Sequence, residues 1–533
     1  MNARLNGVNS GAHARILARP DVVLRKGRFT LINETMSPRD ATVADLVAIH
    51  DALDVAGIQH LLVRRDDDHA VIAVDHAKAT EIAAALSTAF AIEPFYARIG
   101  TEPAILVAEG GLSEIGNHRI VRLYRPRTTG KGGMRYGAAT GVRLEFWDLE
   151  PDTIHAPAEN ALMRRSLPRT EAIDATIDLH GRIWSTLGGM FDMLASDVTF
   201  DIDMVFSWVD GTSSEFQRAR AQRMKSYVVG DGDDSDARFR QIDELRYALR
   251  SVYLYAPWVR RIFIATDSPT PSWLADHPRV TVVRSEEFFA DLDALPTHNS
   301  HAVESQLHRI EGLSEHFLYS NDDMFFGRPV RPDMFFSPGG ITKFVEATTR
   351  IGLGEPNPER SGFENAARVN RALLQRRFGR ITTRHLEHAA TPLRRSVMAE
   401  LEREFPEDFA RTAASAFRSS SDISVTNSLY HYYALMTGRA VVQTDARVRY
   451  VETTLANAAG EMDTILKERD YDFFCLNDGS KPEISVAKRT RNVHAFLERY
   501  FSIPAVWEKP AFVGARPARE RTLPVAVQEQ PAG

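Results

Sequence analysis

FLYSNDDMFFG, residues 317–327, runs from an apolar stretch into Asn321, Asp322 and Asp323 and then back into Met324, Phe325 and Phe326. Adjacent carboxylates repel, and burying them without a counter-charge is costly. Apolar flanks of this kind therefore mark a strand that delivers acid to a cleft. Two other stretches have the same form. DIDMVFSWVDG (201–211) ends at Asp210 and Gly211, and RRIFIATD (260–267) ends at Asp267. Between and after them lie DELRYALRSVYLYAPW (243–258), with helical spacing and a stop at Pro257, the strand VTVVRS (280–285), and the helix SHAVESQLHRI (300–310). Repeated strand–helix–strand order predicts an α/β fold whose core is a mostly parallel, Rossmann-like sheet with helical additions. Ligands of such sheets bind outside the carboxyl ends of the strands, so Asp210, Asp267, Asp322 and Asp323 are expected around one cleft.

Outward from this core, residues 21–157 alternate strand and helix and predict a small α/β domain. HLLVRR (60–65) and AVIAVD (70–75) read as a hairpin, TVADLVAIHDALDVAG (42–57) as a helix, and TTGKGGMRYGAATG (128–141) as a glycine-rich loop. A flexible N-terminus over 1–20, a helical connector over 158–198, a catalytic domain over 199–500 and a flexible tail over 501–533 complete the expected organisation. Composition is that of a globular protein, 44% hydrophobic and 26% charged, with a net charge of −6 that draws it to neither nucleic acid nor anionic lipid as a whole. The one cysteine, Cys475, excludes an internal disulfide and a cysteine-rich zinc site. No stretch reaches the roughly 18 apolar residues of a membrane span, and the N-terminus lacks the apolar core of a secretory signal. The expectation is a cytoplasmic protein, with peripheral contact at the inner membrane left open.

An acidic pair at a strand end suits a hard divalent cation, Mg²⁺ or Mn²⁺, which shares its shell with substrate phosphates. The plain alternative is an exposed Asp-Asp turn, which would not need so much apolar flanking. Glu304 and His308 share a helical face and could serve acid–base chemistry, or form a surface ion pair. Arg238, Arg240, Arg246 and Arg250 surround one helix start, where guanidinium forks suit a diphosphate or simply a solvated face. Trp208 could stack on a nucleobase or sit in the core. His385 and His388 lie three apart with no accompanying cysteine, Arg418 precedes SSSD (419–422) in the manner of an anion-binding helix start, and CLNDG (475–479) offers one more Asn-Asp pair around Asp478. RRDDDH (64–69) reads as an acidic hairpin turn before a metal triad, and GKGGMRYG lacks P-loop spacing.

Four ordered blocks resemble the Stealth family of sugar-1-phosphate transferases. They are IDMVFSWVDG (202–211); RFRQIDELRYALRSVYLYAPWVRRIFIATD (238–267) continuing through HNSHAVESQLHRIEGLSEHFLYSNDDMFFG (298–327); the histidine pair through EREFPEDF (402–409) to SVTNSLYHYYALMTGRAV; and CLNDG. The family makes capsular and exopolysaccharides and is related to the lysosomal-enzyme N-acetylglucosamine-1-phosphotransferase. The resemblance implies transfer of a hexose-1-phosphate, for example GlcNAc-1-phosphate, from a UDP-sugar to a saccharide hydroxyl, with release of UMP. It implies Glu304, Asp323, His388 and Arg418 as catalytic residues, with His385 as the fallback for His388. Donor binding then falls to Trp208, Asp210, Gly211, Arg238, Arg246, Asp267 and Asn321, and the metal to Asp322, Asp323 and Asp478. A metal-dependent glycosyltransferase releasing UDP and a non-catalytic carbohydrate-binding protein are the competing readings.

Overall fold

The computed structural model describes residues 10–65, 69–113, 118–130, 133–211, 218, 242–479 and 482–510. Four parallel strands form the centre of the second half. Their spatial order is Val280–Val283, Ile262–Ala265, Ile202–Ser207, His316–Asn321, closed by the antiparallel edge strand Thr391–Arg394. In chain order the parallel strands therefore read 3-2-1-4. The chain reverses direction across the sheet between 202–207 and 316–321, where doubly wound sheets open a crevice.

Both faces of this sheet are buried. Ile202, Met204, Phe206, Ile264 and Leu318 enter one core, while Val205, Phe263, Phe317 and Tyr319 enter the other. This is the period-two alternation of a strand covered on both sides. Helices Glu244–Tyr255, Ala458–Glu468 and Val486–Tyr500 fill the first core. Helices Arg395–Glu404, Pro406–Ala414 and Tyr430–Met436, with Gly362–Phe378, fill the second. Pro406 opens its helix at the first turn, where its missing N–H costs no hydrogen bond. Beyond Asp323 the chain turns into Met324–Phe326, which pairs with Phe473–Asn477; that strand in turn pairs with Val448–Glu452.

The first half carries its own sheet. Val142–Leu149 runs parallel to Val71–Asp75 and antiparallel to Ile120–Tyr124, and helices Pro38–Val55 and Ala79–Ala89 pack over it. The hairpin expected from HLLVRR and AVIAVD is present as His60–Val63 against Val71–Asp75. Asp66, Asp67 and Asp68 at its turn lie outside the described residues.

Three expectations of chain organisation are corrected. Residues Ser10–Leu17 form a helix whose Ala12 and Ile16 are buried against the Val22–Arg25 and Arg28–Ile32 hairpin, so 1–20 is not loose throughout. The connector is not helical. It contains the hairpin Asp174–Leu179 and Arg182–Leu187, in which Trp184 is fully buried and Thr186 Oγ1 donates to Leu62 O at 2.8 Å. Alternating Thr and Ile fit a pleated surface, and the flanking polar residues had masked that period. Residues 501–510 are docked rather than flexible, with Trp507 and Ile503 buried. The glycine-rich loop meets this segment: Ser502 Oγ accepts the Met134 N–H at 3.1 Å and lies 2.8 Å from Thr129 Oγ1. Residues 511–533 lie outside the described residues.

Candidate active site

Ser207 and Asn321 are register partners at the carboxyl ends of neighbouring strands. Asp322 and Asp323 follow directly, in the turn before Met324–Phe326. Phe325 stacks on Phe474 with ring centres 5.2 Å apart and Phe326 packs against Phe473 and Phe335, so the turn is clamped from below by aromatic side chains. Both aspartates are half-buried. Asp323 Oδ2 accepts from the Cys475 thiol at 3.5 Å, while its Oδ1 is buried without a hydrogen-bond partner. Burial and the neighbouring Asp323 charge push the Asp322 carboxyl up to about 7. Burial, helped by the nearby Glu244, pushes Asp323 up to about 6.

Upward shifts mean that the folded protein holds protons the unfolded chain releases. The contribution of this pair to the stability of the metal-free protein is then greatest below the ordinary carboxylate range and falls as pH rises from about 4 to about 7. Melting temperatures measured in chelator should show this decline as the difference between the parent and a variant lacking the pair. The double variant Asp322→Asn/Asp323→Asn should lose it, and an identical pH dependence in both proteins would contradict the burial of charge at this turn.

Glu304 sits on the helix Ser300–Gln306, 2% exposed. Its Oε1 accepts from Tyr319 Oη at 3.3 Å, and its Oε2 from Thr426 Oγ1 at 2.7 Å and Asn427 Nδ2 at 3.4 Å. Tyr319 Oη also donates toward Asn321 Oδ1 at 3.0 Å and lies 2.7 Å from Ser207 Oγ. One hydroxyl thus ties Glu304 to the two strand ends. Thr426 and Asn427 belong to a π-helical turn, Val425–Leu429, a geometry that re-aims side chains at functional sites. His431 anchors that turn, its Nε2 lying 2.8 Å from Thr426 O. Burial lowers the His431 imidazole to about 4 and keeps it neutral.

Arg418 donates from Nη2 to Ser300 Oγ at 2.8 Å, which places it beside the Glu304 helix. It crosses Gly362, where a Cβ would lie 2.7 Å from Arg418 Cδ. Only glycine permits that approach without displacing the guanidinium stem. The next residue, Phe363, stacks on His385 at 4.7 Å and lies 6.4 Å from His388. His388 is half-buried and faces the Tyr450 ring at 4.9 Å. Tyr450 is in turn the register partner of Cys475, the residue that touches Asp323. Desolvation and the neighbouring His385 lower the His388 pKa, so its imidazole is neutral at pH 7. Ring contacts thus join Tyr450, His388 and Phe363, the neighbouring Gly362 packs on Arg418, and Arg418 bonds Ser300 on the helix that carries Glu304.

Other expected site residues are placed differently. His308 does not share chemistry with Glu304, because its Nε2 lies 2.9 Å from Glu402 Oε2 and the helix tightens to a 3₁₀ turn after Gln306. Arg246 and Arg250 do not point to a diphosphate. Both grip Glu508, at 2.6 Å each, and Arg250 Nη1 also donates to Phe501 O at 2.7 Å. Asp267 reaches its strand end, but its Oδ1 accepts the Ser285 N–H at 2.8 Å. Asp478 is ion-paired with the buried Arg489 and accepts from Thr453 Oγ1 at 2.9 Å, so its carboxylate serves the fold. The SSSD run starts no helix: Asp422 Oδ2 accepts from Ser419 N and Asn299 Nδ2 and closes a loop. Trp208 is half-buried against the first core, the Asp210 N–H donates to Ser268 Oγ at 2.8 Å, and Gly211 is buried. Arg238 and Arg240 lie outside the described residues.

Among the described residues no three His, Cys, Asp or Glu side chains gather as a metal cluster. Asp322 and Asp323 still fit a hard cation, because they offer oxygen donors and Asp323 Oδ1 is an unpaired buried acceptor. Two carboxylates would leave the remaining positions to phosphate and water.

Models of Stealth protein conserved regions 1, 2, 3 and 4 match residues 200–228, 238–344, 387–435 and 463–517. Exopolysaccharide phosphotransferase CpsY of Mycobacterium tuberculosis H37Rv is 57% identical over 511 residues, covering 95% of this chain and 96% of that protein. The chain belongs to the Stealth family. It is a phosphotransferase enzyme, as its relatives are named. CpsY of Mycobacterium leprae is 58% identical over 92% of this chain and 91% of its own length, and the Nocardia farcinica exopolysaccharide phosphotransferase 53% over 91% of each. A solved galactosyltransferase, LgtC, aligns at 11% identity and a TM-score of 0.29 over 57% of this chain and 97% of that one, a likeness too distant to define the fold. The Stealth regions contain Glu304, Asp322, Asp323, His388 and Arg418 and leave residues before 200 unmatched, whereas the mycobacterial relatives extend into the first half.

Proposed function

We propose that this Stealth phosphotransferase moves a hexose-1-phosphate, such as GlcNAc-1-phosphate, from a UDP-sugar to a carbohydrate hydroxyl in exopolysaccharide or capsule synthesis. The acceptor oxygen bonds to the phosphorus that carries the sugar. The diphosphate bridge breaks, its oxygen leaves with UMP, and a phosphodiester remains. What supports this reading is the acidic turn at the point where the sheet reverses, with His388 packed on the neighbouring Tyr450 and Arg418 beside the Glu304 helix.

Mg²⁺ or Mn²⁺ held by Asp322 and Asp323 would supply positive charge to the donor diphosphate. Arg418, with its fork beside Ser300, stabilises charge on the transferred phosphoryl oxygens. His388 accepts the acceptor's proton: its ring is neutral and half-open, whereas Glu304 is buried and already accepts from three side chains. Glu304 instead fixes Tyr319 and, through it, Asn321. Trp208, Asp210 and Gly211, at the neighbouring strand end, would take the nucleotide.

The test is the nucleotide product. Purified protein given UDP-sugars and a saccharide acceptor should release UMP, and excess EDTA should stop it. Release of UDP would instead assign sugar–oxygen bond cleavage, that is, a glycosyltransferase.

A further inference from the structure

Residues 371–384, RALLQRRFGRITTR, contain five arginines and no acid in a chain whose net charge is −6. They span the second half of the helix Gly362–Phe378, its left-handed cap at Gly379, and the return toward the strand Arg384–Leu386. That strand pairs with Glu346–Arg350, with Arg350 opposite Arg384, and the pairing continues as the Ile351 N–H donates to Thr383 O at 3.1 Å. Two residues farther along each chain stand Leu353 and Ile381, which are 89% and 57% exposed. The Arg371 guanidinium donates to Gly352 O at 3.1 Å and holds the loop of Leu353 against the helix. Arg350, Arg376, Arg377 and Arg380 are exposed around this tip. Of these Arg377 meets Glu404, while Arg376 and Arg380 enter no ion pair among the described residues.

We propose that this tip docks on an anionic lipid bilayer, with Leu353 and Ile381 entering the interface and the arginines pairing with headgroups. Two exposed aliphatic side chains beside exposed arginines, which outnumber Glu355 and Glu359 on the same loop, match the boundary between acyl chains and acidic headgroups. A single-stranded nucleic acid would call for exposed aromatic faces on which bases stack, and the tip presents none; a duplex backbone would use the arginines but not the exposed Leu353 and Ile381. The same strand leads directly into His385 and on to His388, so docking would hold the catalytic cleft close to the membrane surface. The proposal does not depend on the identity of the donor.

Flotation of the full-length protein with vesicles tests it. Binding is expected to mixed phosphatidylglycerol–phosphatidylcholine vesicles, weakly or not at all to phosphatidylcholine alone, and to fall as salt rises. Leu353→Asp/Ile381→Asp and, separately, Arg376→Glu/Arg380→Glu should each weaken it by roughly tenfold or more, with unchanged melting temperatures. Equal binding to both vesicle types, no binding, or variants that float like the parent would overturn the proposal. Retention of a soluble polyanion such as dextran sulfate without flotation would assign the tip to an anionic glycan instead, and would equally overturn it.

Discussion

Asp323→Asn is expected to reduce turnover by about a hundredfold to a thousandfold while leaving the protein as heat-resistant as the parent, or more so. The two halves of this expectation have one cause. The carboxylate is held in a packed turn beside Asp322, with one oxygen on a weak thiol donor and the other on nothing. Its charge is therefore a burden to the fold, as the upward pKa shift records. Asparagine keeps the shape, removes the burden and removes the charge that a phosphate-bound cation needs. Steady-state kinetics with nucleotide-product detection, alongside thermal melting at pH 8, read both effects on the same preparation. Full turnover in the folded variant would exclude Asp323 from the chemistry.

Glu508→Gln is expected to act in the opposite way, costing about 3–5 kcal/mol of stability through a residue far from the reacting atoms in sequence and role. Glu508 is fully buried and accepts from Arg246 Nε, Arg250 Nε and Arg250 Nη2, and it also receives the Ala505 N–H. Burial alone would raise its pKa, but the guanidinium of Arg250 overcomes this and holds it below the ordinary carboxylate range. Neutralising it removes the buried carboxylate that both arginines grip and leaves Arg250 in a dry site, unable to shed its proton. Because the folded pKa is depressed, this contribution is complete above the unfolded value and disappears as pH falls through the folded one. Denaturant unfolding at neutral pH measures the loss. A midpoint equal to the parent's would show that water reaches the arginines.

The parallel sheet was legible in the sequence because three of its four parallel strands are apolar runs that end in acid, and its helices keep their spacing between prolines. The positions of Asp322, Asp323 and Asn321 followed from that reading. The roles of Arg246 and Arg250 did not, since their partner lies in a segment whose proline- and alanine-rich continuation suggested a loose end. Trp507 and Ile503, buried beside Glu508, were the available signal. Tyr319, Thr426, Tyr450 and Gly362 were not singled out because nothing in a linear pattern distinguishes a core tyrosine from one whose hydroxyl joins Glu304 to Asn321. The π turn at Val425–Leu429 has no composition signal that separates it from the helix it precedes.

The grip of Glu508 on Arg246 and Arg250 spans 262 and 258 positions. On a translating ribosome, the helix Glu244–Tyr255 therefore waits for the carboxylate that Arg246 and Arg250 share until nearly the whole polypeptide has emerged. Premature termination anywhere before Glu508 leaves that helix without its counter-ion, however much of the cleft has already been made.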